Sequence, residues 1–96
     1  MVKHILFVKL KDRKPETCEK VRDLFYSMKG RVPVIRDLQV GVDILHTERS
    51  YDVVLELTVD DRAALEAYQA DPYHVEVVKP YIHEVRAGSA TVDYEW

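Results

Sequence analysis

Between residues 66 and 85 the chain reads EAYQADPYHVEVVKPYIHEV, and within it Tyr68 and His74 lie on either side of the break Asp71-Pro72. Both side chains can do proton chemistry. An imidazole titrates near neutrality, so it serves as a base without a large shift, and a phenol hydroxyl donates a hydrogen bond to a developing enolate. A base and an oxyanion donor are what proton removal beside a carbonyl, followed by aldol closure, requires, with no cofactor. His4 shares its strand face with Leu6 and Val8, so it converges with Tyr68 and His74 on one cavity if that face meets the helices. The cavity is expected to be mostly apolar, lined by Leu6, Phe25, Val53, Leu55, Val78 and Tyr81 as ligand-binding residues, with His4 among them. The plainer reading makes the same His and Tyr core residues joined by a hydrogen bond.

Other constellations carry less. His46 and His83, with Asp52 and Glu84, show no metal-ligand spacing and read as solvated polar residues, so no metal site is expected. Cys18 is the only cysteine, which excludes an internal disulfide, and its spacing to Val21 makes it a small buried hydrophobe. Tyr94 and Trp96 share one face of the last apolar run and are expected in the core or at a dimer edge. No glycine-rich phosphate loop or activated serine occurs.

The chain has 96 residues, enough for one domain spanning 1–96, and a chain this short gains by covering a face with a partner. Its 14 Lys and Arg are scattered among 17 Asp and Glu, for a net charge of −3, so nucleic acid is not an expected partner. No apolar run reaches the length of a membrane span and no cleavable leader is visible, so a soluble cytoplasmic protein with no membrane partner is expected.

The elements that must position these side chains follow from periodicity. Val2, His4, Leu6, Val8 and Leu10 alternate with Lys3, Ile5, Phe7 and Lys9, as in a strand. Pro15 opens a helix whose buried stripe is Cys18, Val21, Leu24, Phe25 and Met28, with Gly30 placed to end it. Alternation over Leu38–His46 and again over Tyr51–Val59 predicts a hairpin joined by Thr47-Glu48-Arg49-Ser50. Asp60 or Asp61 caps a second helix using Ala64, Leu65 and Tyr68 inward, and Asp71-Pro72 stops it. A third helix over Tyr73–Ile82 places His74, Val77, Val78 and Tyr81 on one face. Beyond Gly88 a last strand alternates Ala90, Val92, Tyr94 and Trp96 with Thr91, Asp93 and Glu95.

This order predicts a ferredoxin-like, split βαβ, α+β fold: a four-stranded antiparallel sheet with helices on one face. The other face, carrying Ile5, Phe7 and Val54, would be partly apolar in water, so a homodimer packed through it is expected.

The segments VKHILFVKLKD, YDVVLELT, LEAYQADPYHV and VDYE, taken in order, resemble the stress-responsive A/B barrel (Dabb) domain family over nearly the whole chain. The resemblance implies a dimeric α+β barrel. In the family's olivetolic acid cyclase-type members a Tyr and a His close a linear polyketide, and those positions match Tyr68 and His74, with a further His matching His4. The resemblance therefore implies a catalytic Tyr68/His74 acid–base pair and a carbonyl or phenolic, polyketide-like ligand. The pattern departs at Val53, where those members carry another His, and at Asp71, which replaces a His that often precedes the Pro. A second reading stays open, in which the protein is a stress-associated dimeric module and Tyr68 and His74 only hold helices to the sheet.

Overall fold

Alternating apolar residues form β1 (Val2–Leu10), and Pro15 starts α1 (Pro15–Tyr26), where the missing proline N–H is of no consequence. The computed structural model, which describes residues 1–96, continues with β2 (Asp37–Val42), β3 (Val53–Val59) and α2 (Arg62–Ala70). A π-helical turn (His74–Val78) leads directly into α3 (Lys79–Val85), and β4 (Arg86–Glu95) closes the chain. The strands form one sheet in the order β2-β3-β1-β4, and every neighbouring pair is antiparallel. This is the ferredoxin-like arrangement expected from the element order.

The helices cover one face. Val2, Val8 and Leu10 of β1 and Leu55, Leu57 and Val59 of β3 are buried against Cys18, Val21 and Phe25 of α1 and Tyr68 of α2. Full burial of such side chains stabilises the fold by about 1.5–3 kcal/mol each. α1 packs over β2 and β3, whereas α2 reaches β1 and β3, so no helix lies squarely over β4. The side of the sheet along β4 is thereby left open as a cleft.

Local chemistry sets the element ends. The Asp61 carboxylate accepts a hydrogen bond from the Ala64 N–H at 2.8 Å and caps α2. Asp71 plays the same part after the break, its Oδ1 accepting from the Tyr73 N–H at 2.9 Å. Gly30 has φ +83, a left-handed conformation that suits glycine, and it lies in the turn that follows α1.

Four features differ from the periodic reading. β2 ends at Val42, because the chain leaves the sheet at Asp43, whose carboxylate accepts from the His46 N–H, so Ile44 and Leu45 are 87% and 74% exposed. Asp52 is fully buried where a solvated residue was expected, because Arg13 Nε donates to its Oδ1 and the Leu10 N–H to its Oδ2, both at 2.8 Å. In the third helical segment the Lys79 N–H bonds the carbonyl of His74, five residues back, and this wider turn displaces Val77 to solvent. His74, Val78 and Ile82 become the buried row in place of His74, Val77, Val78 and Tyr81. Finally, the pairing of Ile5 with Val92, Phe7 with Ala90 and Lys3 with Tyr94 puts the apolar residues of β4 on the face without helices. That face therefore carries Val92, Tyr94 and Trp96 in addition to Ile5, Phe7 and Val54.

Candidate active site

Because Val92 and Tyr94 face away from the helices, the alternate residues Ser89, Thr91 and Asp93 of β4 face the helical side. Antiparallel pairing brings Asp93 opposite His4. The His4 Nδ1 lies 2.5 Å from Asp93 Oδ1. A carboxylate accepts, so Nδ1 carries the proton, which makes Nε2 the nitrogen turned away from Asp93. This orients His4 as a base would be oriented by a third group.

Tyr68 projects from α2 between two imidazoles. Its ring stacks on that of His74, with centroids 4.4 Å apart at 29°, and meets His4 at 5.5 Å and 52°. The Tyr and His rings therefore meet face to face, without the hydrogen bond that a simple core pair would form. Burial, reinforced by the nearby Asp93 charge, pushes the Tyr68 hydroxyl well above the usual phenol range, so it stays protonated at neutral pH.

His74 is placed by the Asp71-Pro72 break and the π turn. Its Nδ1 is buried and has no hydrogen-bond partner. Burial holds the imidazole below the ordinary histidine range; the Gln69 backbone partly opposes this, and the charges of Lys79 and His4 reinforce it. The ring is thus neutral at physiological pH, as a base must be.

A cavity of about 190 Å³ opens at this point between the helices and β4. Leu6, Phe25, Val78 and Ile82 supply its apolar lining, and His4, Tyr68 and His74 its convergent polar groups. Lys79, His83, Arg86, Ser89 and Thr91 stand at its more exposed rim with Gln69. Of the expected lining residues, the structure brings together His4, Leu6, Phe25, Tyr68, His74 and Val78. Val53 and Leu55 do not line it: they pair with Val8 and Leu6 on the β3 side of β1, under α1, and are buried in the core. Tyr81 does not line it either, since the π turn gives its place to Ile82 and leaves Tyr81 partly buried beside the core. Asp93, the orienting partner of His4, and the rim residues of β4 escaped the sequence reading, because a polar alternate row on a strand looks like a solvated face. Their signal was the shared face of His4 and Asp93, which shows only once β1 and β4 are paired.

Geometry and topology together define a ferredoxin-like α+β domain with an apolar cavity between sheet and helices and an uncovered sheet face. The model of the Dabb family, the Stress Responsive A/B Barrel Domain, matches residues 2–96, and the chain belongs to that family. Among solved structures it is similar to a dimeric protein of unknown function and ferredoxin-like fold from Bacteroides fragilis, with 25% identity and a TM-score of 0.83 over 99% of this chain and 95% of that one. A dimeric ferredoxin-like protein of unknown function from Thermobifida fusca shares 21% identity at TM-score 0.85, over 99% and 90% of the two chains. A hydroxynitrile lyase from Passiflora edulis has the same fold at 15% identity and TM-score 0.81, over 97% and 90%. No curated protein sequence matches the chain. No helix is long and apolar enough to cross a membrane.

Proposed function

We propose that the protein is a homodimer, joined through the uncovered sheet face, whose subunits each bind and act on a small carbonyl or phenolic, polyketide-like compound by acid–base chemistry. The observation that carries the reading is that His74, whose buried Nδ1 has no partner, lines the same largely apolar cavity as Tyr68 and His4. Buried polar groups in native proteins are nearly always satisfied, and an exception calls for a functional account. In this reading His74 takes a proton from the carbon beside a carbonyl, and the electron pair moves to the carbonyl oxygen. The Tyr68 hydroxyl, held protonated by its surroundings, donates to that oxygen while the enolate carbon attacks a second carbonyl of the same molecule, whose π electrons move to its oxygen; that oxygen takes the proton held by His74 and the base is restored. His4, aligned by Asp93, stands ready as a second base. The dimer is supported by the apolar row Ile5, Phe7, Val54, Val92, Tyr94 and Trp96 and by the dimeric state of the Bacteroides and Thermobifida proteins.

The stacking of Tyr68 on His74 favours a second reading, in which the pair is a strut between helix and sheet and the dimer is a scaffold. Thermal melting with a panel of aromatic and β-dicarbonyl ligands separates the two. A ligand at 100 times its Kd stabilises the folded state by about 2.7 kcal/mol. We expect such a shift for wild type, reduced by Tyr68→Phe, which keeps the ring and removes the hydroxyl. A panel in which no ligand raises the melting temperature leaves the strut reading.

A further inference from the structure

The rim of the cavity carries a charge pattern that the proposed acid–base work does not use. The chain is acidic overall, with 17 Asp and Glu against 14 Lys and Arg, yet no Asp or Glu lines this cavity. Lys79, His83 and Arg86 all do. Lys79 and His83 lie four residues apart on α3 and so share one face of it. None of the three forms an ion pair with an acid, whereas Arg13, Arg22, Arg36 and Arg62 each do.

Arg86 reaches the rim because the β1–β4 ladder is irregular. Lys9 pairs with Gly88 and Leu10 with Arg86, so Ala87 has no partner and forms a bulge. Strict alternation would put Arg86 on the same side as Gly88 and Ala90, on the uncovered face. The extra residue instead brings it to the helical side with Ser89 and Thr91, and bulges commonly re-aim a side chain next to a site in this way. Arg86 Nη1 donates to Ser89 Oγ at 2.8 Å, which lays the guanidinium along the strand and leaves its other N–H groups free to bind.

We propose that this rim binds the carboxylate head of an organic acid whose apolar, ring-sized body fills the space between Leu6, Phe25, Val78 and Ile82. The proposal rests on the ligand-binding reading above and narrows its substrate class to small carboxylates. A planar guanidinium receives a carboxylate through two parallel hydrogen bonds, and Lys79, at the start of α3, adds a point charge to the same rim. The cavity is smaller than the ~300–1,000 Å³ of drug-sized sites, which limits the body to about one ring with a short chain.

The test is titration calorimetry of the protein with 4-butylbenzoate and with 4-butylbenzamide, which match in size and shape and differ in charge. We expect the benzoate to bind about tenfold more tightly at low salt, which is about 1.4 kcal/mol. The preference should shrink at high salt. In the Lys79→Gln/Arg86→Gln double variant, with both changes at the cavity rim, the two ligands should bind alike. Equal affinities for wild type overturn the carboxylate proposal and leave an apolar ligand site in place. A benzoate preference undiminished in the double variant removes the assignment to this rim, and binding of neither compound overturns both this proposal and the reading it rests on.

Discussion

Replacing His74 with Phe should make the protein more stable and unable to process a ligand. The imidazole is buried, its Nδ1 has no partner, and its ring stacks on Tyr68 at 4.4 Å. An orphaned buried polar atom costs about 1–3 kcal/mol, and Phe removes it while keeping an aromatic stack that is worth about 0.5–1.5 kcal/mol. Loss of the weaker pull of the Gln69 backbone offsets part of the gain, so the net is about 1 kcal/mol. In a domain of this size that raises the melting temperature by about 4–8 °C. The pH dependence sharpens the test. Burial lowers the folded-state affinity of His74 for a proton below its ordinary value of 6.5, so the unfolded state binds more protons and stability falls as pH drops below 6.5. Each pH unit below that point adds up to about 1.4 kcal/mol until the folded-state group itself titrates. The variant lacks this loss, and Lys79, His4 and Asp71, which face the ring, are common to both proteins. Melting curves at pH 8 and pH 5, at one fixed protein concentration, should therefore show a variant more stable than wild type by a margin that widens in acid. A variant that melts below wild type at pH 8, or a margin that does not widen at pH 5, would refute the claim that His74 is held at a cost to the fold.

Two further perturbations probe other parts of the molecule. Val92→Lys places a charge on the uncovered face, where Val92 of the edge strand β4 lies opposite Ile5 of β1, and light scattering after gel filtration should report a monomer; an unchanged dimer mass would move the interface elsewhere. Arg13→Ala leaves the fully buried Asp52 carboxylate with only the Leu10 N–H and releases the Thr47 and Ser50 carbonyls, so urea unfolding should show a loss of about 3 kcal/mol; a loss below about 1 kcal/mol would show that the β2–β3 loop holds without this clamp.

Periodicity was enough to locate every strand and both long helices, because β1, β3 and α1 each bury a single unambiguous row. It went wrong where one face is not simply apolar. The run Ala90, Val92, Tyr94, Trp96 looks like a core row, and only cross-strand pairing shows that it belongs to the uncovered face. Ile44 and His46 continue the alternation of β2, but Asp43 draws the chain out of the sheet through side-chain hydrogen bonding that no period expresses. The same holds at Val77, where a π turn changes the angular step per residue and invalidates a wheel drawn at the α-helical value. That Tyr68, His74 and His4 come together was legible, because their chemistry is rare among apolar neighbours. Asp93 and Arg86 were not, since each looks like a solvated charge until register is known.

The unpaired Ala87 makes the length of this strand matter more than its composition. Residues before and after a bulge have opposite parity, so one residue decides which side of the sheet each neighbour addresses. Deleting Ala87 itself would close the ladder in register, with Arg86 still opposite Leu10 and Gly88 opposite Lys9, so every residue of β4 would keep its face. Deleting Ala90 instead, with Gly88 held opposite Lys9, would put Asp93 among the apolar residues of the open face and Tyr94 against His4. Substitutions along β4 can therefore be absorbed one at a time, and so can the loss of Ala87, but an insertion or deletion beyond Gly88 alters the cavity and the open sheet face in a single step.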